Sequence, residues 1–355
     1  MSELISESTA LCASIKAVEE AWLEKARARQ LGLTKPPGSL GRLEEIGNRL
    51  SAIQQTVTPE VTQKRIYVVA GDHGVTAEGV SAYPREVTAQ MIDNFLSGGA
   101  AINVLGRHGG IEVKVVDAGV DADLSTRAGL ISVKKNRGTA NFALGPAMKR
   151  AEAEQLISAG VELARVASAE GIKLLGVGDM GIGNTTAASA ITAALTAEDP
   201  ARHTDRGTGV DDPQLAHKIE VIQRSLAINQ PNQNDPIDVL AKVGGAEIAV
   251  MMGLILGGAS NRLAVVADGF ISTAAAALAV KLCANTRDYL FLAHRSVERG
   301  HAALIDLIGL EPLLDLRMRL GEGTGAALAM HLLDASTKLL REMATFGEAR
   351  VSNKD

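Results

Sequence analysis

Apolar positions along this chain alternate between two spacings. Leu11, Ile15, Val18 and Trp22 recur at helical intervals, which predicts an amphipathic N-terminal helix. Two prolines and a glycine in Thr34-Lys35-Pro36-Pro37-Gly38-Ser39-Leu40 end it, and a second helix from about Leu43 leads toward Pro59. Short, mainly apolar runs then appear at 65–70, 111–116, 173–175, 263–267 and 289–293. They stop at Gly71-Asp72-His73-Gly74, Asp117-Ala118-Gly119, Gly176-Val177-Gly178-Asp179, Asp268-Gly269 and His294-Arg295-Ser296. Helical spacing returns between them. This alternation predicts an α/β fold, a mainly parallel sheet flanked by helices. Ligands of such sheets bind beyond the carboxyl ends of the strands, where every one of these polar clusters falls.

The uncharged stretch 248–261 is too short to span a bilayer and reads as a buried helix. A last helix is expected at about 326–343, with Leu332, Leu333, Leu339 and Leu340 toward the core. The division expected is a large Rossmann-like nucleotide-binding domain at 60–320 and a small helical domain from 1–59 plus 321–355.

Composition narrows the function. A net charge of −5 without a basic block argues against nucleic-acid binding. Aromatics are 3% while Ala and Gly abound, which suits closely packed helices on a sheet. Cys12 and Cys283 belong to no CxxC pattern, so a disulfide or zinc site is not expected and a reducing cytoplasm fits. The N-terminus lacks the basic and apolar regions of a signal peptide. Histidines lack metal-ligand spacing, and there is no GxSxG elbow, so neither metal nor serine nucleophile is expected.

Three glycine-rich clusters remain. Met180-Gly181-Ile182-Gly183-Asn184-Thr185-Thr186 follows a strand and opens an Ala-rich helix, with Asn184 or Thr185 expected as its cap. Free N–H groups and the helix dipole make such a place an anion site. Gly176, Gly178 and Gly181 also satisfy GxGxxG, but the acidic residue that should close a second strand is missing, and Asn184 stands where a phosphate-loop lysine would be. In Arg206-Gly207-Thr208-Gly209-Val210-Asp211-Asp212, Asp212 is the expected cap of a helix with Leu215, Ile219, Ile222 and Leu226 buried. Lys218 beside that stripe can reach a phosphate. In Leu320-Gly321-Glu322-Gly323-Thr324-Gly325, the carboxylate of Glu322 stands among glycines as a candidate general base, and Thr324 is the expected cap.

Taken in order with Lys35-Pro36-Pro37-Gly38-Ser39-Leu40-Gly41, Ser81-Ala82-Tyr83-Pro84 through Gln90-Met91, and Asp268-Gly269-Phe270, these motifs resemble the nicotinate-nucleotide–dimethylbenzimidazole phosphoribosyltransferases over nearly the whole chain. The resemblance implies transfer of phosphoribose from nicotinate mononucleotide to 5,6-dimethylbenzimidazole with inversion, no metal or cofactor, and a homodimer. It implies Glu322 as general base. It implies that Gly176, Gly181, Ile182, Gly183, Asn184, Thr185, Gly207, Thr208 and Lys218 bind phosphate and ribose. It sets Ser81, Tyr83, Gln90, Met91, Ser296 and Leu320 around the benzimidazole-type base, with Pro36 and Thr34 at the entrance. One position departs: the family pattern has Glu before Met180, where this chain has Asp179, an acid one methylene shorter. An NAD-dependent oxidoreductase and a non-catalytic nucleotide-binding protein are the alternative readings.

Overall fold

In the computed structural model, which describes residues 9–207, 209 and 211–352, every expected run is a strand. They are β1 (Lys64–Gly71), β2 (Glu112–Gly119), β3 (Leu130–Ser132), β4 (Leu174–Met180), β5 (Ala264–Ala267) and β6 (Leu290–Leu292). All pair in parallel, in the order β3-β2-β1-β4-β5-β6. β1 is buried along its whole length, as a strand covered on both faces must be. Its charged entry is neutralised, Lys64 against Asp334 at 3.0 Å and Arg65 against Glu112 at 2.5 Å. β3 is the strand that the apolar pattern does not predict, because three partly exposed residues at a sheet edge leave no run to read.

The helices are α1 (Glu20–Gly32), α2 (Arg42–Gln54), α3 (Glu86–Ser97), α4 (Ala101–Gly109), α5 (Arg150–Ala169), α6 (Asn184–Thr196), α7 (Asp212–Asn229), α8 (Pro236–Val243), α9 (Ala246–Ser260), α10 (Phe270–Leu282), α11 (Arg299–Ile308), α12 (Thr324–Glu342) and α13 (Phe346–Ala349). α9 and α12 cover opposite faces of the sheet. Gly258 of α9 faces Leu175, whereas Met330 of α12 faces the next residue, Gly176. The Gly- and Ala-rich composition lets α5 and α9 approach backbone to backbone. A Cβ on Gly160 would lie 2.1 Å from the Val250 carbonyl, and one on Gly253 2.0 Å from that of Ile157. α9 is the buried helix expected from its uncharged run. Among the described residues no helix is long and apolar enough to cross a membrane.

The chain ends meet. Leu33 bridges Thr345, Thr34 N–H donates to the Ala344 carbonyl at 3.0 Å, and Arg29 Nε to that of Leu340 at 2.6 Å. On α12, Leu333 and Leu340 are fully buried, while Leu332 and Leu339 are only half-buried.

Two expectations are corrected at the N-terminus. The single amphipathic helix is broken: residues 9–14 are helical, 15–19 are not, and α1 follows. The backbone groups of 15–18 bond to side chains instead, Asn285 Nδ2 donating to Ile15 O, Tyr289 Oη to Lys16 O, and Val18 N–H to Asp288 Oδ2. That same path brings Cys12 onto Cys283, and the two form a disulfide across 271 residues of sequence. Sequence distance is the wrong guide here, because the fold lays the N-terminal segment on the end of α10. The first eight residues, on which the signal-peptide reading rests, lie outside the described residues.

Candidate active site

The sheet order reverses between β1 and β4, which is where a doubly wound sheet opens a crevice. A cleft lies beyond the carboxyl ends of β4, β5 and β6. Asp179, Asn184, Thr185, Gly207, Ser296 and Leu320 are among its walls. It gathers all three glycine clusters, which are far apart in sequence.

The loop after β4 presents the start of α6. Its cap is neither Asn184 nor Thr185 but Gly183, whose φ of +93° suits glycine, and Asn184 is the first helical residue. This frees both side chains. Asn184 Nδ2 donates to Asp179 Oδ2 at 2.8 Å. Thr185 Oγ1 accepts from Lys218 Nζ at 2.8 Å. The loop is held from α3, where Thr88 Oγ1 accepts from Ile182 N–H at 3.2 Å.

Lys218 is not on a solvated face. It is 1% exposed, and burial pulls its ammonium down to about 8 against the opposing pull of Glu298 and Asp205. Gly207 abuts the same pair, since a Cβ there would lie 2.9 Å from Thr185 Oγ1 and 3.4 Å from Lys218 Nζ. α7, which carries Lys218, is capped by Asp211 in a capping box with Gln214 rather than by Asp212, which is its first residue. Its core side is Lys218, Val221, Ile222 and Ser225, with Leu215, Ile219 and Leu226 half-buried at the margin. Thr208 lies outside the described residues.

Glu322 follows Leu320 and Gly321 behind the cleft wall. Its φ is +64°, unusual for a residue with a side chain, and it is 6% exposed. Burial first, and then the charge of Asp268, push its carboxyl up to about 7. Its amide donates to the Asp179 carbonyl at 3.2 Å. Thr324 does not cap α12. Gly323 does, and Thr324 Oγ1 turns back to the Gly321 carbonyl at 2.8 Å. Asp179 is itself pushed well up by burial, then by Asp268 and Glu247. Its Oδ1 is buried without a hydrogen-bond partner.

Other expected residues fall elsewhere. Gly176 lies mid-strand, where a Cβ would meet Ile66 Cγ1 at 2.6 Å and Met330 Cε at 2.8 Å. It packs sheet against helix and is not at the cleft. Pro36 is exposed on the turn before α2, Ser81 and Tyr83 lie on the loop before α3, and Gln90 and Met91 on α3 itself. None of these five lines the cleft, though α3 is tied to its loop through Thr88.

Several site groups have no role in the sequence reading. Asp268 and His294 end apolar runs, so strand-end position alone puts them here. Glu298 and Arg319 line the cleft without any motif to announce them. His73 pairs with Glu247 at 2.8 Å, both wholly buried under the glycine loops. Burial pulls the imidazole down, but the carboxylate outweighs it and the net shift is upward. Among the described residues no cluster of His, Cys, Asp and Glu could hold a metal ion.

A family model described as phosphoribosyltransferase matches residues 15–351. The nicotinate-nucleotide–dimethylbenzimidazole phosphoribosyltransferase of Geotalea uraniireducens (strain Rf4) is 56% identical over 340 residues, 96% of this chain and 97% of that protein. The enzyme of the same name from Geobacter sulfurreducens is 57% identical over 338 residues, 95% and 96% of the two chains. Among solved structures, CobT from Thermus thermophilus superposes with a TM-score of 0.90 at 50% identity, covering 94% of this chain and 100% of that one. The motif order, the cleft geometry and these full-length likenesses agree, and the chain belongs to the nicotinate-nucleotide–dimethylbenzimidazole phosphoribosyltransferase family.

Proposed function

We propose that this enzyme moves phosphoribose from nicotinate mononucleotide to 5,6-dimethylbenzimidazole, giving α-ribazole 5′-phosphate and nicotinate, a step of cobalamin biosynthesis. The observation that carries the reading is that a buried, weakly acidic carboxyl at Glu322, next to the wall residue Gly321, and a buried ammonium at Lys218, bonded to the wall residue Thr185, lie behind one cleft.

The chemistry suits that pair. The pyridinium leaving group is already cationic and departs as a neutral ring with the electrons of its bond to the sugar, so no acid is needed. The acceptor's ring nitrogen attacks the anomeric carbon from the opposite face, which inverts it. Its N–H proton goes to the Glu322 carboxylate. A base with a pKa near 7 is ionised often enough at neutral pH and still accepts a proton well. The transition state carries oxocarbenium character, as in other glycosyl transfers. Aligning two flat rings across the sugar supplies much of the remaining acceleration.

Lys218, Thr185, Gly207 and the loop residues Gly181, Ile182, Gly183 and Asn184 would take the phosphate and ribose, with Thr208 beside them. Asp179 would face the ribose through its unpartnered oxygen. Ser81, Tyr83, Gln90, Met91, Ser296 and Leu320 would surround the base, with Pro36 at the entrance. Tyr83 and Leu320 are 52% and 55% exposed, apolar surface that a flat base and a second subunit would cover. We take the enzyme to be a homodimer whose domains divide at 60–320 and 1–59 plus 321–355; the Cys12–Cys283 disulfide removes the cysteine argument for a reducing compartment, so a cytoplasmic location rests on the proposed biosynthetic activity alone.

The test is incubation with nicotinate mononucleotide and dimethylbenzimidazole, with products identified by mass. Nicotinate and α-ribazole phosphate in equal amounts are expected. Mononucleotide binding without nicotinate release would leave a nucleotide-binding protein instead.

A further inference from the structure

α12 begins without a side-chain cap of its own, because its cap residue is Gly323. The first amides of a helix need acceptors all the same. They find them across the sheet, on Asp268 at the end of β5. Gly323 N–H donates to Asp268 Oδ2 at 3.0 Å, and Ala326 N–H to Oδ1 at 2.9 Å. The carboxylate has no room to move. It is wholly buried, and a Cβ on Gly325 would lie 2.7 Å from Asp268 Oδ1 and 2.1 Å from His294 Cδ2.

The bond to Gly323 N–H has a second effect. That amide belongs to the peptide joining Glu322 to Gly323, so its anchoring fixes ψ of Glu322. The Asp179 carbonyl fixes the amide on the other side. Between the two, the Cα–Cβ direction of Glu322 is set despite its left-handed backbone.

We propose that Asp268 is the positioning residue of the proton-accepting carboxylate: it caps α12 from the end of β5, clamps the 322–323 peptide so that Glu322 points at the acceptor, and sets a second carboxyl beside it. This rests on the reading of Glu322 as the base. The charged groups that act on Glu322 are Asp179 at the end of β4 and Asp268 just after β5; Glu247 of α9 acts on Asp179, His294 after β6 acts on Asp268, and Arg319 lines the cleft one residue before Leu320. Of these, Asp268 is the one whose charge pushes Glu322 upward, after burial.

The experiment is kcat and KM against pH for Asp268→Asn, with Glu322→Gln alongside. The amide keeps the shape but loses the charge and one acceptor. Turnover should fall about tenfold or more, with the mononucleotide KM within about threefold. The acid limb of the kcat profile should move down by about one pH unit, as expected when a neighbouring like charge is removed. A merely structural role would not move that limb. An unmoved limb, or a loss confined to KM, overturns the proposal. Full turnover in Glu322→Gln defeats the base assignment itself, whereas collapse there with an unchanged Asp268→Asn profile defeats only the positioning role. Should Asp268→Asn fail to fold, hydrogen exchange on the wild-type enzyme decides. Protected Gly323 and Ala326 amides support the clamp, and amides exchanging as fast as those of 316–319 refute it.

Discussion

The amide of Glu322 is bonded to the main-chain carbonyl of Asp179 at 3.2 Å, although 143 positions separate the two acids. The bond splices the glycine loop before α12 onto the end of β4. Both carboxyls are therefore placed by backbone, and both are pushed up in pKa by the same dry surroundings. An acid site built this way favours proton uptake over permanent charge.

Replacing Glu322 by Gln keeps the shape and removes the base. Steady-state kinetics should show kcat reduced on the order of a hundredfold or more, the usual worth of a general base, with mononucleotide affinity nearly unchanged. Wild-type kcat should decline below about pH 7, where Glu322 takes up its proton. The residual rate of Glu322→Gln should lack that decline.

The same shift has a stability consequence of opposite sign to the common carboxylate case. A carboxyl raised from 4.5 to about 7 binds protons more tightly in the folded state. Stability from this group is therefore fully present below about pH 4.5 and lost as pH rises through 7. Glu322→Gln should then be more stable than wild type at pH 8, by an amount on the order of 1–3 kcal/mol, and the difference should shrink toward pH 5. Thermal melts across pH check it, and a gap that widens on acidification would reverse the sign and refute the assignment.

Lys218 is the buried cation beside the cleft, and its pull on a phosphate is strongest while it is charged. Lys218→Met should weaken nicotinate mononucleotide binding by about 10- to 100-fold, the value of one charged hydrogen bond. Because burial brings the free ammonium down to about 8, wild-type affinity should weaken above that pH. Calorimetry at pH 7 and 9 measures both, and equal affinity in the variant would remove Lys218 from phosphate binding.

Much of this arrangement is legible in sequence because it depends on local signals. β1 and β4 are mainly apolar runs with abrupt polar ends, and the loop glycines mark the places where backbones touch. What is not legible depends on which distant segments meet. Asp268 reads as a strand-end acid until Gly323 and Ala326 are seen against it. Gly176 matches a phosphate motif, yet its missing side chain makes room for Met330. Ile15 and Val18 keep helical spacing, but their backbone is claimed by Asn285 and Asp288.

Cys12 and Cys283 close a loop of 271 residues in a chain of 355, tying the N-terminal segment to the end of α10. Loss of such a bond commonly removes about 2–5 kcal/mol, with the mechanism dependent on the model of the unfolded chain. Dithiothreitol should lower the melting temperature of the wild type and leave that of Cys12→Ser unchanged. Activity at 25 °C should be the same with and without reductant, since neither cysteine lines the cleft.

Gly178 tests the meeting of β4 with the loop of Glu322 directly. A Cβ there would lie 2.2 Å from Gly323 N and 2.5 Å from its Cα, and backbone on both sides gives no rotamer escape. Gly178→Ala must push the loop away, at a cost of about 1–3 kcal/mol in stability. The displaced peptide carries Glu322 with it, so kcat should fall more than the melting temperature alone implies. Gly347→Ala is the control, because nothing lies within 4 Å of its new methyl group and its φ lies outside the left-handed region. It should leave both quantities within error. A Gly178→Ala enzyme with normal kcat would mean that the loop re-forms around the methyl, and that the aim of Glu322 does not depend on this contact.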